Sequence, residues 1–184
     1  MTTEQTGEVT TSPLSTDLAS RVSVKFDAIP SDMKQAAQWV LWRYEDRDGK
    51  RTKVPYQPNG TKASSTDKST WNSFEVVKAT YEQGSFDGVG FVLGNGFAGV
   101  DFDHCRDPAT SEIDAWAKAY LDRLYSYSEV SPSGEGVHCI LRASLLPGRS
   151  GCRKELKGIG YRPKAAIEMY SASRFFTVTG DRIA

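Results

Sequence analysis

The sequence has no excess charge of either sign, because 23 Lys and Arg side chains balance 23 Asp and Glu. A chain so balanced has no overall field to gather nucleic acid, and any polyanion-binding surface has to be built locally. Cysteine is scarce: Cys105, Cys139 and Cys152 make an odd count with no Cys-x-x-Cys pair, which argues against a disulfide framework. His104-Cys105 and His138-Cys139 are adjacent residues. Neighbours on a strand face opposite ways, so neither pair offers two ligands to one zinc ion. No apolar run approaches the ~20 residues of a membrane-spanning helix. Met1 to Ser20, rich in Thr, Ser and Glu, lacks the apolar stretch of a secretory signal. The expectation is a cytoplasmic protein with no membrane partner, and no internal repeat breaks the chain into copies.

What is present suits one folded unit. The chain has 184 residues, 39% apolar and 25% charged, enough for a single domain with its own core. Residues 1–25 read as a disordered polar tail and 26–184 as the domain. A short helix capped by Ser31 or Asp32 should lead into an aromatic, β-branched strand, Gln38 to Tyr44. Asp48-Gly49 turns the chain into a returning strand, Thr52 to Gln57, whose Pro55 suits a sheet edge. Phe74, Val77 and Tyr81 define a helix closed by Gly84. Val89 to Leu93 and Phe97 to Cys105 read as the arms of a hairpin turned at Asn95-Gly96. Ile113, Trp116, Ala117, Tyr120, Leu121 and Leu124 form the stripe of a second long helix, with Thr110 or Ser111 as its cap. Strands follow at Tyr125 to Val130, Val137 to Arg142, Ala165 to Ser171 and Arg174 to Thr179. Composition reads the basic stretch Arg149 to Lys164 as a solvated loop. The fold class is α/β of the α+β type, an antiparallel-rich sheet backed by helices.

Side chains alternate along a strand, and three strands use that alternation the same way. In Val100-Asp101-Phe102-Asp103 the two carboxylates share a face, while Val100 and Phe102 enter a core. In Val137-His138-Cys139-Ile140-Leu141 the imidazole opposes Val137, Cys139 and Leu141. In Ile167-Glu168-Met169 the carboxylate opposes two apolar neighbours. If these strands adjoin, Asp101, Asp103, Glu168 and His138 converge, since neighbouring strands lie ~4.8 Å apart. Three clustered carboxylates repel one another, and divalent cations with a taste for oxygen, Mg²⁺ or Mn²⁺, relieve that repulsion. The chemistry served by such an arrangement is phosphoryl or nucleotidyl transfer with two ions. His138 would meet a phosphate oxygen, and the turn Ser133-Gly134-Glu135-Gly136 would offer N–H groups and a hydroxyl to the same phosphates.

These residues resemble the three signature motifs of the archaeo-eukaryotic primase superfamily. They are Gly99-Val100-Asp101-Phe102-Asp103, Ser131-Pro132-Ser133-Gly134-Glu135-Gly136-Val137-His138 and Ile167-Glu168-Met169-Tyr170. The chain is similar, more narrowly, to the primase-polymerase domains of phage and plasmid replication proteins. Trp39-Val40-Leu41-Trp42, Lys53-Val54-Pro55-Tyr56, Thr70-Trp71, Gly88 to Leu93 and Arg174 to Gly180 extend the likeness from about Ile29 to Gly180. The resemblance implies an RRM-like sheet with helices on its back, joined to a small N-terminal α/β unit, so that 26–184 is a primase-polymerase catalytic domain. It implies Asp101, Asp103 and Glu168 as ligands of two Mg²⁺ or Mn²⁺ ions, and His138 as a contact to the incoming nucleoside triphosphate. Ser133 is carried over to the triphosphate, and glutamate stands at Glu168 where many members have aspartate. Lys53 and Arg174 are candidates for the nucleotide, and the basic stretch from Arg149 for the DNA. Trp39, Trp42 and Trp71 read as core rather than as base-stacking platforms. The partners implied are a single-stranded DNA template, a primer, dNTP or NTP, and a replicative helicase domain or protein. Two other readings compete: a non-catalytic single-stranded DNA-binding module, and a metal-dependent nuclease.

Overall fold

The computed structural model describes residues 21–183, and the polar tail expected at 1–25 lies outside these up to residue 20. The last residues of that segment are tied into the fold. Val22 N–H donates to Asp87 O, Lys25 N–H donates to Thr179 O, and the Arg21 guanidinium donates to Tyr81 O while lying 4.0 Å above the Tyr81 ring.

Two antiparallel sheets carry the chain. The first has the order β2-β1-β3-β9 and comprises β1 (Trp39–Arg47), β2 (Lys50–Tyr56), β3 (Gly88–Val92) and β9 (Phe175–Val178). It is covered by α1 (Ser31–Gln35) and α2 (Phe74–Glu82). Trp39, Leu41, Val89, Phe91 and Val178 meet Met33, Phe74, Val77 and Tyr81 in one core. The helical spacing of Phe74, Val77 and Tyr81 thus turns one face of α2 onto the sheet. Pro55 sits on the edge strand, where its missing N–H costs no ladder bond. Trp39 and Trp42 are fully buried, and Trp71 is partly buried with its indole N–H on Ser64 O. This is the small α/β unit, but it takes its last strand from the C-terminal end of the chain.

The second sheet has the order β5-β6-β4-β8-β7, from β4 (Phe97–Asp103), β5 (Tyr127–Val130), β6 (Val137–Arg142), β7 (Gly151–Glu155) and β8 (Ala166–Tyr170). α3 (Ala115–Leu124) lies between β4 and β5 in the chain and packs Ala117 against Val100, Phe102, Val137 and Cys139. Strand, helix, then two strands with the last returning beside the first is the split βαβ order of an RRM-like sheet. β8 completes its four strands and β7 is an added edge.

Four details differ from the sequence reading. Asn95 (φ 51°) and Gly96 (φ 86°) do make the tight turn, but its arms separate: β3 stays in the first sheet and β4 enters the second. Only the Gly94–Phe97 bridge joins them, so the turn is a corner between sheets. α3 starts at Ala115 behind Asp114, because Asp107 captures the N–H groups of Ala109 and Thr110 and turns the preceding segment. Tyr125 is not in a strand; it ends α3 in the left-handed region (φ 41°) with its ring exposed. The basic stretch is in part a strand, β7, which satisfies its backbone on β8.

Candidate active site

β4 is the centre of the second sheet, and its register decides which side chains meet. Asp101 is directly opposite His138 on β6 and Glu168 on β8. His138 is opposite Glu129 on β5, and Glu168 is opposite Arg153 on β7. Cross-strand partners share a face. The sheet therefore carries one transverse row of five polar residues: Glu129, His138, Asp101, Glu168 and Arg153. Asp103 follows two residues along β4 on the same face. The three predicted strands are adjacent, and their predicted residues are brought together.

This face is only half open. Phe97, Tyr127 and Ile140 share it at its other end, where they pack with Phe176 of β9 in the core beneath the first sheet. Gly99 makes that approach feasible, since a Cβ there would stand 2.5 Å from the Phe176 ring. Phe176 in turn lies 4.9 Å from the His138 ring at a 35° tilt. The row thus emerges from under a buried aromatic, which excludes water from its Glu129 end.

The imidazole is fixed at both nitrogens. Nδ1 lies 2.9 Å from Thr177 O, and a carbonyl only accepts, so Nδ1 carries the proton. Nε2 is left facing Asp101 Oδ1 at 3.8 Å, and Glu129 Oε1 is 3.8 Å behind Nδ1. Burial alone would lower the affinity of His138 for a second proton; the charges of Asp101 and Glu129 outweigh it and raise the pKa above the usual value. The two aspartates are also raised, here chiefly by burial. Burial raises the carboxyl of Asp101, with Glu168 adding to the rise and His138 and Lys53 opposing it. Burial, then repulsion from Asp101 and Glu168, pushes Asp103 up to about 6. Glu168 accepts from the Tyr170 hydroxyl at 2.6 Å and is paired with the Arg153 guanidinium. As the side chains stand, no three His, Cys, Asp or Glu among the described residues are gathered around one ion-sized point.

A cleft of about 350 Å³ opens onto the row. Asp101, His138 and Glu168 form one wall, while Lys53 of β2 and Arg174 ahead of β9 reach in from the first sheet. Burial lowers the pKa of Lys53, and Asp101 and Asp103 act against that fall. Arg174 lies with its guanidinium 5.0 Å from the Tyr170 ring. Ser133 is not brought in: it is exposed on the 131–136 turn, with its hydroxyl on Ser131 at 3.1 Å, and it does not line the cleft. The turn is anchored instead to Arg106, whose guanidinium donates to Gly134 O. Asp103 faces a second cleft of about 390 Å³ that Arg153, Lys157 and Lys164 share. Cys105 and Cys139 lie buried in the α3 core, on the face away from the row.

Sequence reasoning missed three members of this arrangement. Glu129 was within reach, because the alternation argument applied to Tyr127-Ser128-Glu129-Val130 puts the carboxylate on the face of His138. Arg153 was hidden by reading β7 as loop. The contact of Tyr170 with Glu168 is set by a period-two neighbour on the same strand.

Paired aspartates on the central strand of an antiparallel RRM-like sheet, flanked by His138 and Glu168 and faced by Lys53 and Arg174, are the arrangement that the primase-polymerase resemblance implies, and a curated relative supports a primase-polymerase domain in this chain. A curated DNA primase-polymerase of Nitratiruptor phage NrS-1 is 36% identical to it over 152 residues, 81% of this chain. The chain spans 20% of the length of that relative. No family model matches the chain.

Proposed function

We propose that this domain is a template-dependent nucleotidyltransferase, a DNA primase-polymerase that joins nucleotides to a 3′-hydroxyl. The observation that carries the reading is the transverse register of His138, Asp101 and Glu168 beside a cleft faced by two cations from the other sheet. Asp101, Asp103 and Glu168 are the residues that would hold two divalent ions, Mg²⁺ or Mn²⁺. The donor set fits them: three carboxylates supply hard oxygen ligands, and the raised Asp101 and Asp103 mark a site short of positive charge. When bound, such ions supply Lewis acidity at the attacking hydroxyl and the leaving pyrophosphate.

The protein's own groups do the rest. Lys53 and Arg174 reach the cleft as fixed positive charges for the triphosphate, Arg174 with a planar fork suited to phosphate. His138 presents Nε2 to the same space, held by its bond to Thr177. Phe176 keeps the rear of the site dry, which strengthens every charge interaction in front of it. The template and primer fit on the Asp103 side, where Lys164 is exposed in the second cleft. The remaining basic residues of that stretch are partly committed: Lys157 pairs with Glu155 and Arg162 with Asp114 and Asp107. A replicative helicase domain or protein is the partner that would supply single-stranded template.

The test is a synthesis assay on single-stranded DNA, with and without a primer, using dNTP and NTP separately with Mg²⁺ or Mn²⁺. Wild-type protein incorporates nucleotide, and Asp101→Ala and Asp103→Ala do not, with circular dichroism unchanged. Undiminished synthesis by both variants would remove the mechanism. DNA binding without synthesis would point to a binding module, and nucleotide release without added triphosphate to a nuclease.

A further inference from the structure

The only fully buried acid among the described residues in the core is Glu129, and it lies at the sealed end of the row. Its carboxylate is a pure acceptor surrounded by donors: Thr179 N–H at 3.0 Å on Oε1, Gly180 N–H at 2.8 Å and the Tyr127 hydroxyl at 2.5 Å on Oε2. Two of these donors belong to the backbone just after β9. The carbonyl that takes the His138 Nδ1 proton belongs to Thr177, two residues earlier on the same segment. Glu129 is thus bonded to the strand that orients the imidazole, and it stands opposite His138 in the register, with Oε1 3.8 Å from Nδ1.

We infer that Glu129 is a positioning residue: by pinning Thr179 and Gly180 it sets the Thr177 carbonyl on Nδ1 of His138, and so directs Nε2 into the nucleotide cleft. The consequence for binding rests on the proposed contact of His138 with the triphosphate. A structural tie between the two sheets would need only some acceptor at residue 129. The positioning role needs a carboxylate. An amide there turns an NH₂ against one of the two backbone N–H groups, displacing β9 and with it the Thr177 carbonyl. Supporting groups of this kind behind a working imidazole typically cost about 10- to 100-fold when lost.

The protein has two histidines, so His138 can be followed with His104 as an internal control. In nucleotide-free protein labelled with ¹⁵N-histidine, at a pH high enough to leave the imidazole neutral, long-range nitrogen–proton spectra should show wild-type His138 with its proton on Nδ1. In Glu129→Gln a second tautomer, protonated on Nε2, should appear while His104 is unchanged. A folded Glu129→Gln with the wild-type His138 pattern overturns the inference, whatever the enzyme does with nucleotides. If Glu129→Gln does not fold, Tyr127→Phe removes one donor from the carboxylate and should move the His138 resonances alone; an unmoved His138 again overturns it. Binding of dATP with Mg²⁺ gives the functional arm. Glu129→Gln should weaken it about tenfold or more, and the double variant with His138→Ala should bind no more weakly than His138→Ala alone. Additive losses contradict positioning, and wild-type binding by His138→Ala would strike the phosphate contact while leaving the spectra to judge Glu129.

Discussion

The two glutamates that bracket Asp101 and His138 sit in the same transverse row and are held in opposite ways. Glu129 is fully buried and bonded by two backbone N–H groups and a phenol, all fixed parts of the fold. Glu168 is at the open end, held by the side chains of Tyr170 and Arg153, the latter half exposed to solvent. One carboxylate belongs to the framework and the other is exchangeable. The difference shows that residue type and face do not assign a role; what surrounds the acid does.

The largest loss is expected at the buried end of the row. Glu129→Ala strands two buried N–H donors and the Tyr127 hydroxyl, and should cost about 3–5 kcal/mol in urea unfolding. Glu168→Ala, whose neighbours are side chains near solvent, should leave stability within about 1 kcal/mol of wild type. Next in size is Gly99→Ala. Its methyl group would collide with Phe176, and strain of that kind typically costs about 1–3 kcal/mol. The same variant should disturb the His138 signals through the displaced ring.

A smaller effect runs in the stabilising direction. Asp103 is pushed up to about 6 in the folded protein from an ordinary value of 3.8, so its ionised form opposes folding. The penalty is complete above the folded value and vanishes below the ordinary one. Asp103→Asn should therefore stabilise metal-free protein at pH 8 by about 1–2 kcal/mol after discount for solvent screening, and the gain should fade as the pH falls towards 4. A thermal melt series across that range checks the sign. The smallest effect is at Arg153. Its guanidinium occupies Glu168 as a counter-charge, so Arg153→Gln should tighten Mn²⁺ binding by about three- to fivefold.

Much of this site was legible in the chain because period-two alternation is local information. Val100-Asp101-Phe102-Asp103, Val137-His138-Cys139 and Ile167-Glu168-Met169 each state which residue turns from the core, and the strands proved to be neighbours. What was not legible is set by pairing. Nothing in Asn95-Gly96 says that its two arms leave for different sheets, and nothing in Phe175-Phe176-Thr177-Val178 says that β9 joins the N-terminal unit. Consequently alternation shows which residues share a face, but not that Phe97, Tyr127 and Ile140 make one end of the Asp101 face core. The strand β7 was masked by its charge, because an edge strand keeps its side chains in solvent and shows no apolar period. Lys53 shows the same limit. Its motif is local, but its arrival beside Asp101 depends on one sheet folding across the other.

On the proposed function, the exchangeable acid and the paired aspartates hold the cations and the buried acid does not. Electron paramagnetic resonance of Mn²⁺ titrated into wild-type protein, Asp101→Ala, Glu168→Ala and Glu129→Gln tests it in one experiment. Bound Mn²⁺ should be present in wild type and Glu129→Gln and lost in Asp101→Ala and Glu168→Ala. Wild-type Mn²⁺ binding by the Asp101→Ala and Glu168→Ala proteins would contradict it.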